Sequence, residues 1–419
     1  MTMLPTPFTP KLISTWQEGY GLAAFQKDAM AGLTVAIVAL PLSMAIAIAS
    51  HAPPQAGLFT AIIGGFIISA LGGSRFQIGG PAGAFIVLVS AIIDMHGMDG
   101  LLLATLMAGV IMVLGGLLRF GTLVRHVPHA VTIGFTAGIA VIIFASQIHD
   151  LLGLRLATAE PGELVPKLEF LWEGRSTTNL AAILLAAATI TTIIATRIWR
   201  PAWPALLIAV VLASLVAWLF HLDVDTIGTR FGSIPRALPW PSLPAVTVDR
   251  LMLLLPSAIS LAILGSIESL LSAVVADTMS GRAHRSNAEL VAQGMANIAS
   301  PLFGGITATG TIARTATNVK AGAHGPVSGM LHAVYILVFM LVAAPLMQLI
   351  PLAALAGILT LVAWNMVETK EIAKLAAWPS LSVLIVTFLV TIFRDLIEGI
   401  AAGIILSLAL NFLLRPDRP

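Results

Sequence analysis

The sequence predicts an all-α integral membrane protein, with 14 transmembrane segments arranged as two inverted sets of seven. Three observations lead there: an extreme composition, apolar stretches recurring along the chain, and one short interrupted segment at the same position in each half. Of the 419 residues, 58% are hydrophobic and 10% charged, and the mean hydropathy is +0.97. Ordinary soluble domains carry about a quarter charged residues, so a water-soluble fold could not cover this much apolar surface. A bilayer core takes roughly 20 apolar residues per helical crossing, and such stretches recur from Met30 to Leu414 with short polar breaks.

Residues 1–27 are mixed and polar, with Lys11, Glu18 and Lys27, and show no cleavable signal pattern. Leu12 to Phe25 reads as a surface helix at the membrane interface. Residues 28–220 form the first repeat, with segments near 30–50, 55–71, 80–95, 98–119 and 128–148, a polar loop from Asp150 to Thr177, then 178–196 and 203–220. A second polar loop, 221–250, leads into the second repeat, 251–415. Its segments fall near 251–279, 287–303, 308–319, 326–347, 349–366, 379–394 and 397–415. Because seven is odd, the second half enters the bilayer from the opposite side, the geometry of inverted-repeat transporters. An even total puts both termini on one side. With the termini in the cytoplasm, Lys and Arg lie inside over outside by two to one, which predicts cytoplasmic termini. Trp199, Trp203, Trp364 and Trp378 sit near predicted boundaries, as belt residues do.

Composition also excludes classes of function. A formal charge of +2 argues neither for nor against nucleic acid, and the absence of cysteine removes disulfides, thiolate metal sites and cysteine nucleophiles. No Walker A, G-x-S-x-G or H-E-x-x-H pattern occurs, so the residues support neither ATP-driven pumping nor hydrolysis, and no enzyme is expected. The histidines are dispersed without metal-ligand spacing, and no metal cofactor is expected.

The interrupted segments are GGSRFQIGGPAGAF, residues 72–85, and FGGITATGTIARTATN, residues 303–318. Glycines, Pro81 and β-branched residues predict an extended stretch in each, followed by a helix that begins within the membrane, at about Ala82 and about Gly310. Irregular backbone at that depth must line a cavity. A helix N-terminus carries unpaired N–H groups and roughly half a positive charge, so two such ends would cradle an anion without a dedicated basic residue. Thr309 and Thr311 offer hydroxyls there, and Ala82, Gly83 and Gly310 allow close approach. The competing reading is that small residues only let helices pack tightly.

Glu268 lies well inside an apolar segment, where a lone carboxylate costs several kcal/mol unless paired or protonated. Ser272 follows one helical turn later, predicting a carboxylate and hydroxyl on one face, suited to a proton or, with backbone carbonyls, to Na+. A buried ion pair between Glu268 and Arg314 is the structural alternative, and Arg314 can also raise the local potential for anions. Asp277 reads as a solvated helix end, and Arg394, Asp395 and Glu398 as a surface group.

Taken in order, DAMAGLTVAIVALPLSMAIAIAS, GGSRFQIGGPAGAF, LGSIESLLSAVVADTMSG, NAELVAQGMANIASPLFGGITATGTIARTATNVKAGA and LVAWNM resemble the SulP family of anion transporters, over about Asp28 to Leu414. Within it the motifs are most similar to the bacterial, DauA-type dicarboxylate-transporter branch. The resemblance implies a UraA-like fold of core and gate domains, with two short strands preceding half-helices 3 and 10, an elevator mechanism and a homodimer. It places substrate between Ala82, Gly83, Ala84 and Phe85 on one wall and Thr309, Gly310, Thr311 and Ala313 on the other, with Leu42 nearby. It assigns cation coupling to Glu268, with Na+ an option at Glu268, Ser272 and Thr311. Leu42 departs from the Gln or Glu of many relatives. The STAS domain usual after the last helix is absent up to Pro419. The expected function is elevator transport of a small anion in the bacterial inner membrane, as proton-coupled uptake of a dicarboxylate such as fumarate or succinate, or of sulfate. The alternatives are sodium-coupled bicarbonate transport, uncoupled chloride conduction or anion exchange, a membrane anchor or sensor, and a nucleobase permease.

Overall fold

Lipid offers backbone N–H and C=O groups no partners, so apolar runs of this length fold as helices that satisfy themselves. The computed structural model describes residues 8–413 except 123–127, 157–159, 162, 202, 376 and 395; Asp395 and the predicted end of the last segment therefore lie outside the described residues. Among the described residues, eight helices are long and apolar enough to cross a bilayer, and three shorter apolar helices accompany them.

The first half opens with α1 (Lys11–Gln17) and α2 (Leu22–Ala49), followed by α3 (Pro54–Phe59), a π turn (Thr60–Gly64) and α4 (Gly65–Leu71). Strand β1 (Gly79–Gly80) and a 3-10 turn (Gly83–Phe85) then lead into α5 (Ile86–Leu117). Gly97, at φ 71° and ψ 177°, breaks α5 at the boundary predicted between two segments. Next come α6 (His129–Leu152), α7 (Leu164–Glu173) inside the predicted polar loop, α8 (Leu180–Trp199) and α9 (Ala205–Leu219). After the short α10 (Ile227–Phe231), the second half runs α11 (Val248–Ser280), α12 (Ser286–Leu302), β2 (Thr309–Gly310), α13 (Ile312–Lys320) and α14 (Val327–Met347). It closes with α15 (Leu352–Met366), α16 (Thr369–Lys374), α17 (Ser380–Phe393) and α18 (Leu396–Leu413).

These helices pack in two groups. In one, α12 lies on α4 and α5, α14 on α2 and α4, and α11 on α5 and α13. In the other, α6 packs against α15, α17 and α18, and α8 against α9 and α15. The groups meet where α2 touches α9 and α15, and where the 3-10 turn touches α6. Small residues set close crossings: a Cβ on Gly109 of α5 would lie 2.6 Å from the Gly294 carbonyl oxygen of α12, and one on Gly294 2.6 Å from the Gly109 oxygen. Helices without a hydrophobic drive toward one another associate through such backbone approach.

The predicted surface helix differs from the structure. Only Lys11–Gln17 forms α1, and the first long helix begins at Leu22, well before residue 30. Polar contacts explain the break, because the segment is pinned to the core. The Lys11 N–H donates to the Gly72 carbonyl at 2.9 Å, Arg285 donates to the Thr9 carbonyl at 2.7 Å and the Ser14 hydroxyl at 2.9 Å, and Arg75 pairs with Glu18. The outward residues Ile13 and Trp16 stay exposed, as an interfacial helix requires.

The ribbon β1–β2 depends on side chains. Asn297 of α12 donates to the Ala308 carbonyl at 2.7 Å and accepts from the Ala308 N–H at 2.8 Å. Ser300 and Thr60 both donate to the Ile306 carbonyl, at 2.8 and 3.1 Å. Asn318 donates to the Phe76 carbonyl at 2.9 Å. Asn297→Ala leaves two buried backbone groups without partners and should destabilise the protein by about 2–4 kcal/mol, read as a lower unfolding midpoint in detergent.

The Arg75 hydrogen bond holds the Glu18 carboxyl below its ordinary value of 4.5. With a folded value depressed, its contribution is complete above 4.5 and is lost as pH falls through the lower folded value. Amide exchange in α1, corrected for intrinsic rates, should rise on acidification through that range while α2 stays protected, and Glu18→Gln should remove the pH dependence.

Candidate functional site

The two interruptions meet at one place. β1 and β2 pair antiparallel, Gly79 opposite Gly310 and Gly80 opposite Thr309. Because the strands run in opposite directions, the helices that follow leave the ribbon in opposite directions, each with its N-terminus at the ribbon. The 3-10 turn is preceded by Ala82 and α13 by Thr311, and neither receives a side-chain cap. First-turn N–H groups are left for another acceptor, in a field that favours negative charge. The first half-helix starts where predicted; the second starts at Ile312, two residues after Gly310, because β2 occupies Thr309 and Gly310.

Polar side-chain tips press on two of the ribbon glycines. A Cβ on Gly310 would lie 1.5 Å from Gln77 Nε2, and one on Gly80 2.1 Å from Arg314 Nη1. Gln77 is held against α11 by donating to the Ser269 carbonyl and hydroxyl, both at 3.1 Å.

The residues expected on the first wall share one environment. Ala82, Ala84 and Phe85 are buried, and Leu42 belongs to the same apolar cluster. Gly83 is half-buried and faces the second helix group: a Cβ there would lie 3.4 Å from Ile143 of α6 and 3.9 Å from the Met366 sulfur of α15. On the second wall, Thr309 is buried and donates to the Gly265 carbonyl at 3.3 Å, and Thr311 donates to the Ile78 carbonyl at 3.4 Å. Ala313 is exposed, Ala316 and Thr317 half-buried and Lys320 exposed. One face of α13 is thus accessible from its polar end to its tip.

Two expectations about charge are corrected. Glu268 and Arg314 form no ion pair. Arg314, buried at 2% exposure, donates from Nη2 to the Ser43 hydroxyl at 3.1 Å and the Pro81 carbonyl at 3.2 Å. The guanidinium is drawn to the irregular backbone beside β1, whose carbonyl would otherwise be unsatisfied. Glu268 stands apart, half-buried, with Oε2 enclosed and without a partner. Nor does Ser272 join Glu268; its hydroxyl donates to Thr315 Oγ1 at 3.2 Å, and Thr315 in turn accepts from the Ile78 N–H at 3.1 Å. The hydroxyls proposed for Na+ with Glu268 are therefore committed to other acceptors. Among the described residues, no group of three or more His, Asp or Glu converges to hold a metal. Asp277 is not simply solvated, since it accepts from His284 Nδ1 at 2.6 Å and from the His284 N–H at 3.0 Å.

Sequence reasoning missed the supports, Gln77, Asn297, Thr315 and Asn318. Their signal is a polar residue inside an otherwise apolar or small-residue stretch, which marks a partner for broken backbone. It also missed His332 of α14, fully buried with neither ring nitrogen partnered.

Half-helices paired at their tips in a polytopic bundle are an arrangement that secondary transporters use, with substrate at the repeat interface. The Sulfate permease family model matches residues 25–391. A putative sulfate transporter of Bacillus subtilis, YvdB, is 46% identical over 93% of this chain and 74% of its own length. The bicarbonate transporter BicA of Synechocystis is 33% identical over 91% of this chain and 69% of its own. The solved transmembrane domain of a cyanobacterial BicA superposes with a TM-score of 0.81 at 32% identity, over 92% of this chain and 98% of that one. The structure of SLC26A9, at TM-score 0.87 and 19% identity over 97% of this chain and 68% of that one, shares the fold. The chain belongs to the sulfate permease family and is a multi-pass membrane anion transporter.

Gly310→Ala should displace Gln77 and distort the ribbon, lowering stability by about 1–3 kcal/mol and weakening anion binding. Adding Gln77→Ala should recover part of both losses, measured by thermal unfolding with and without substrate anion.

Proposed function

We propose that the protein takes up a small oxyanion, sulfate or a C4 dicarboxylate, together with protons. The anion sits at the uncapped N-termini of the half-helices beginning at Gly83 and Ile312, against Gly83, Ala313 and the facing Ile143 and Met366. Glu268 carries the proton. The observation that supports this most is the isolation of Glu268: an enclosed carboxyl oxygen without cation or hydrogen-bond donor is stable only when the group carries a proton or a bound cation. Ser272 turns toward Thr315 rather than Glu268, which favours the proton. The similarity to a putative sulfate transporter supports sulfate. Arg314 holds the ribbon and adds positive potential without reaching the anion.

The two packing groups support an elevator, in which the half-helix bundle moves against the group built on α6 and α15. The accessible face of α13 supports a state open toward the side that carries Lys320, which the Lys and Arg distribution makes the cytoplasm. Both termini then lie in the cytoplasm of a bacterial inner membrane. A homodimer with an interface on the second helix group leaves the moving bundle free.

Sodium-coupled bicarbonate uptake is the second reading, supported by similarity to BicA. Proteoliposome uptake of labelled sulfate, succinate and bicarbonate under separately imposed pH and sodium gradients separates the two. An acid-outside gradient should drive accumulation of sulfate or succinate, and Glu268→Gln should abolish accumulation while retaining anion exchange. Uptake that followed only sodium, or concentrative uptake unchanged in Glu268→Gln, would sink the proton reading.

A further inference from the structure

We propose that the face carrying α1 holds a second anion site, separate from the half-helix tips, which binds a phosphate group among Lys11, Arg75, Arg282 and Arg285. The fold gathers these four cations from three places: the start of α1, the turn after α4, and the turn between α11 and α12. Arg75 is only 5% exposed. Its Nη2 bonds Glu18, whereas Nη1 is enclosed and has no partner. Arg282 donates to the other Glu18 oxygen at 3.3 Å. Arg285 holds Thr9 and Ser14 through Nη1. Burial and then the neighbouring Arg285 and Arg75 press the Lys11 ammonium below its ordinary value, and burial and Arg75 do the same to Arg285.

The acidic side does not balance this. Among the described residues, Glu18 is the carboxylate that pairs with Arg75 and Arg282, and it must serve both. Asp277, the other carboxylate acting on Lys11, is tied to His284. Glu289, in the first turn of α12, accepts from the Ser74 N–H at 2.9 Å and from Gln293 at 2.8 Å. Half-buried like charges with an unpartnered guanidinium nitrogen are costly unless an anion joins them. A phosphate supplies the missing charge and oxygens that suit guanidinium forks. Glu18, exposed and borne on the chain between α1 and α2, is its internal competitor, displaced from Arg75 when phosphate enters. The phosphate belongs either to a lipid headgroup or to a soluble ion. The exposed Ile13 and Trp16 on α1 and Leu22 at the start of α2 put the cluster at headgroup depth.

The test uses the full chain purified in detergent. Unfolding midpoints are measured while inorganic phosphate is titrated against chloride at matched ionic strength, and while short-chain phosphatidylglycerol is titrated against phosphatidylcholine. One of the two phosphate sources should stabilise the protein, because a ligand that binds only the folded state raises its midpoint. Arg282→Gln, which removes a guanidinium whose side-chain contact is the exposed Glu18, should weaken that binding about tenfold. Glu18→Gln should tighten it several-fold, a direction opposite to that of losing a merely structural bond. Protection by inorganic phosphate identifies a soluble ligand; protection by phosphatidylglycerol alone identifies a headgroup. No protection by either, weaker binding in Glu18→Gln, or protection unchanged in Arg282→Gln but lost in Gly310→Ala, which assigns it to the half-helix tips, would overturn the proposal.

Discussion

The structure depends on one constraint: a backbone that stops being helical inside lipid must find every hydrogen bond within the protein. Two stretches break that way, and each is repaired by the other and by polar side chains. The ribbon pairs Gly79 and Gly80 with Gly310 and Thr309, and Asn297, Ser300, Thr60, Thr315 and Asn318 take the groups it leaves. What the repair leaves unfilled is the first turn of each half-helix. Those N–H groups face away from the ribbon's own partners, and their dipoles point toward negative charge. The proposed anion position thus rests on how the breaks are mended, without an arginine dedicated to the cargo.

The same constraint explains where Arg314 went. Its charge reads in the sequence as a partner for Glu268, but an irregular carbonyl at Pro81 and the Ser43 hydroxyl compete for it and win. Glu268 is left alone as a result. A backbone demand beside β1 therefore leaves the carboxyl of α11 without a cation.

Much of this was legible in the sequence. Apolar runs of membrane length gave the helices, and glycine with proline gave both breaks, because these signals are local. The strands before the half-helices were also anticipated from composition and resemblance. What could not be read were choices between partners. Ser272 lies one turn from Glu268, yet its hydroxyl turns to Thr315 of another helix. Gln77 sits near β1 in sequence, yet it is the residue that presses on Gly310. The N-terminal segment looked like a free interfacial helix, and the arginines that pin it lie more than two hundred residues away or across a helical hairpin. Periodicity records which face is apolar; it does not record which of several polar groups a distant side chain will reach.

The contact between Gly109 and Gly294 limits how the molecule can deform. Where two main chains touch with no side chains between them, prying the helices apart opens a void that nothing nearby can fill. Such a joint resists splaying and transmits a push applied to either helix. The half-helices ride on α5 and follow α12, so a force on this joint would displace the ribbon and both tips as one piece, preserving their spacing.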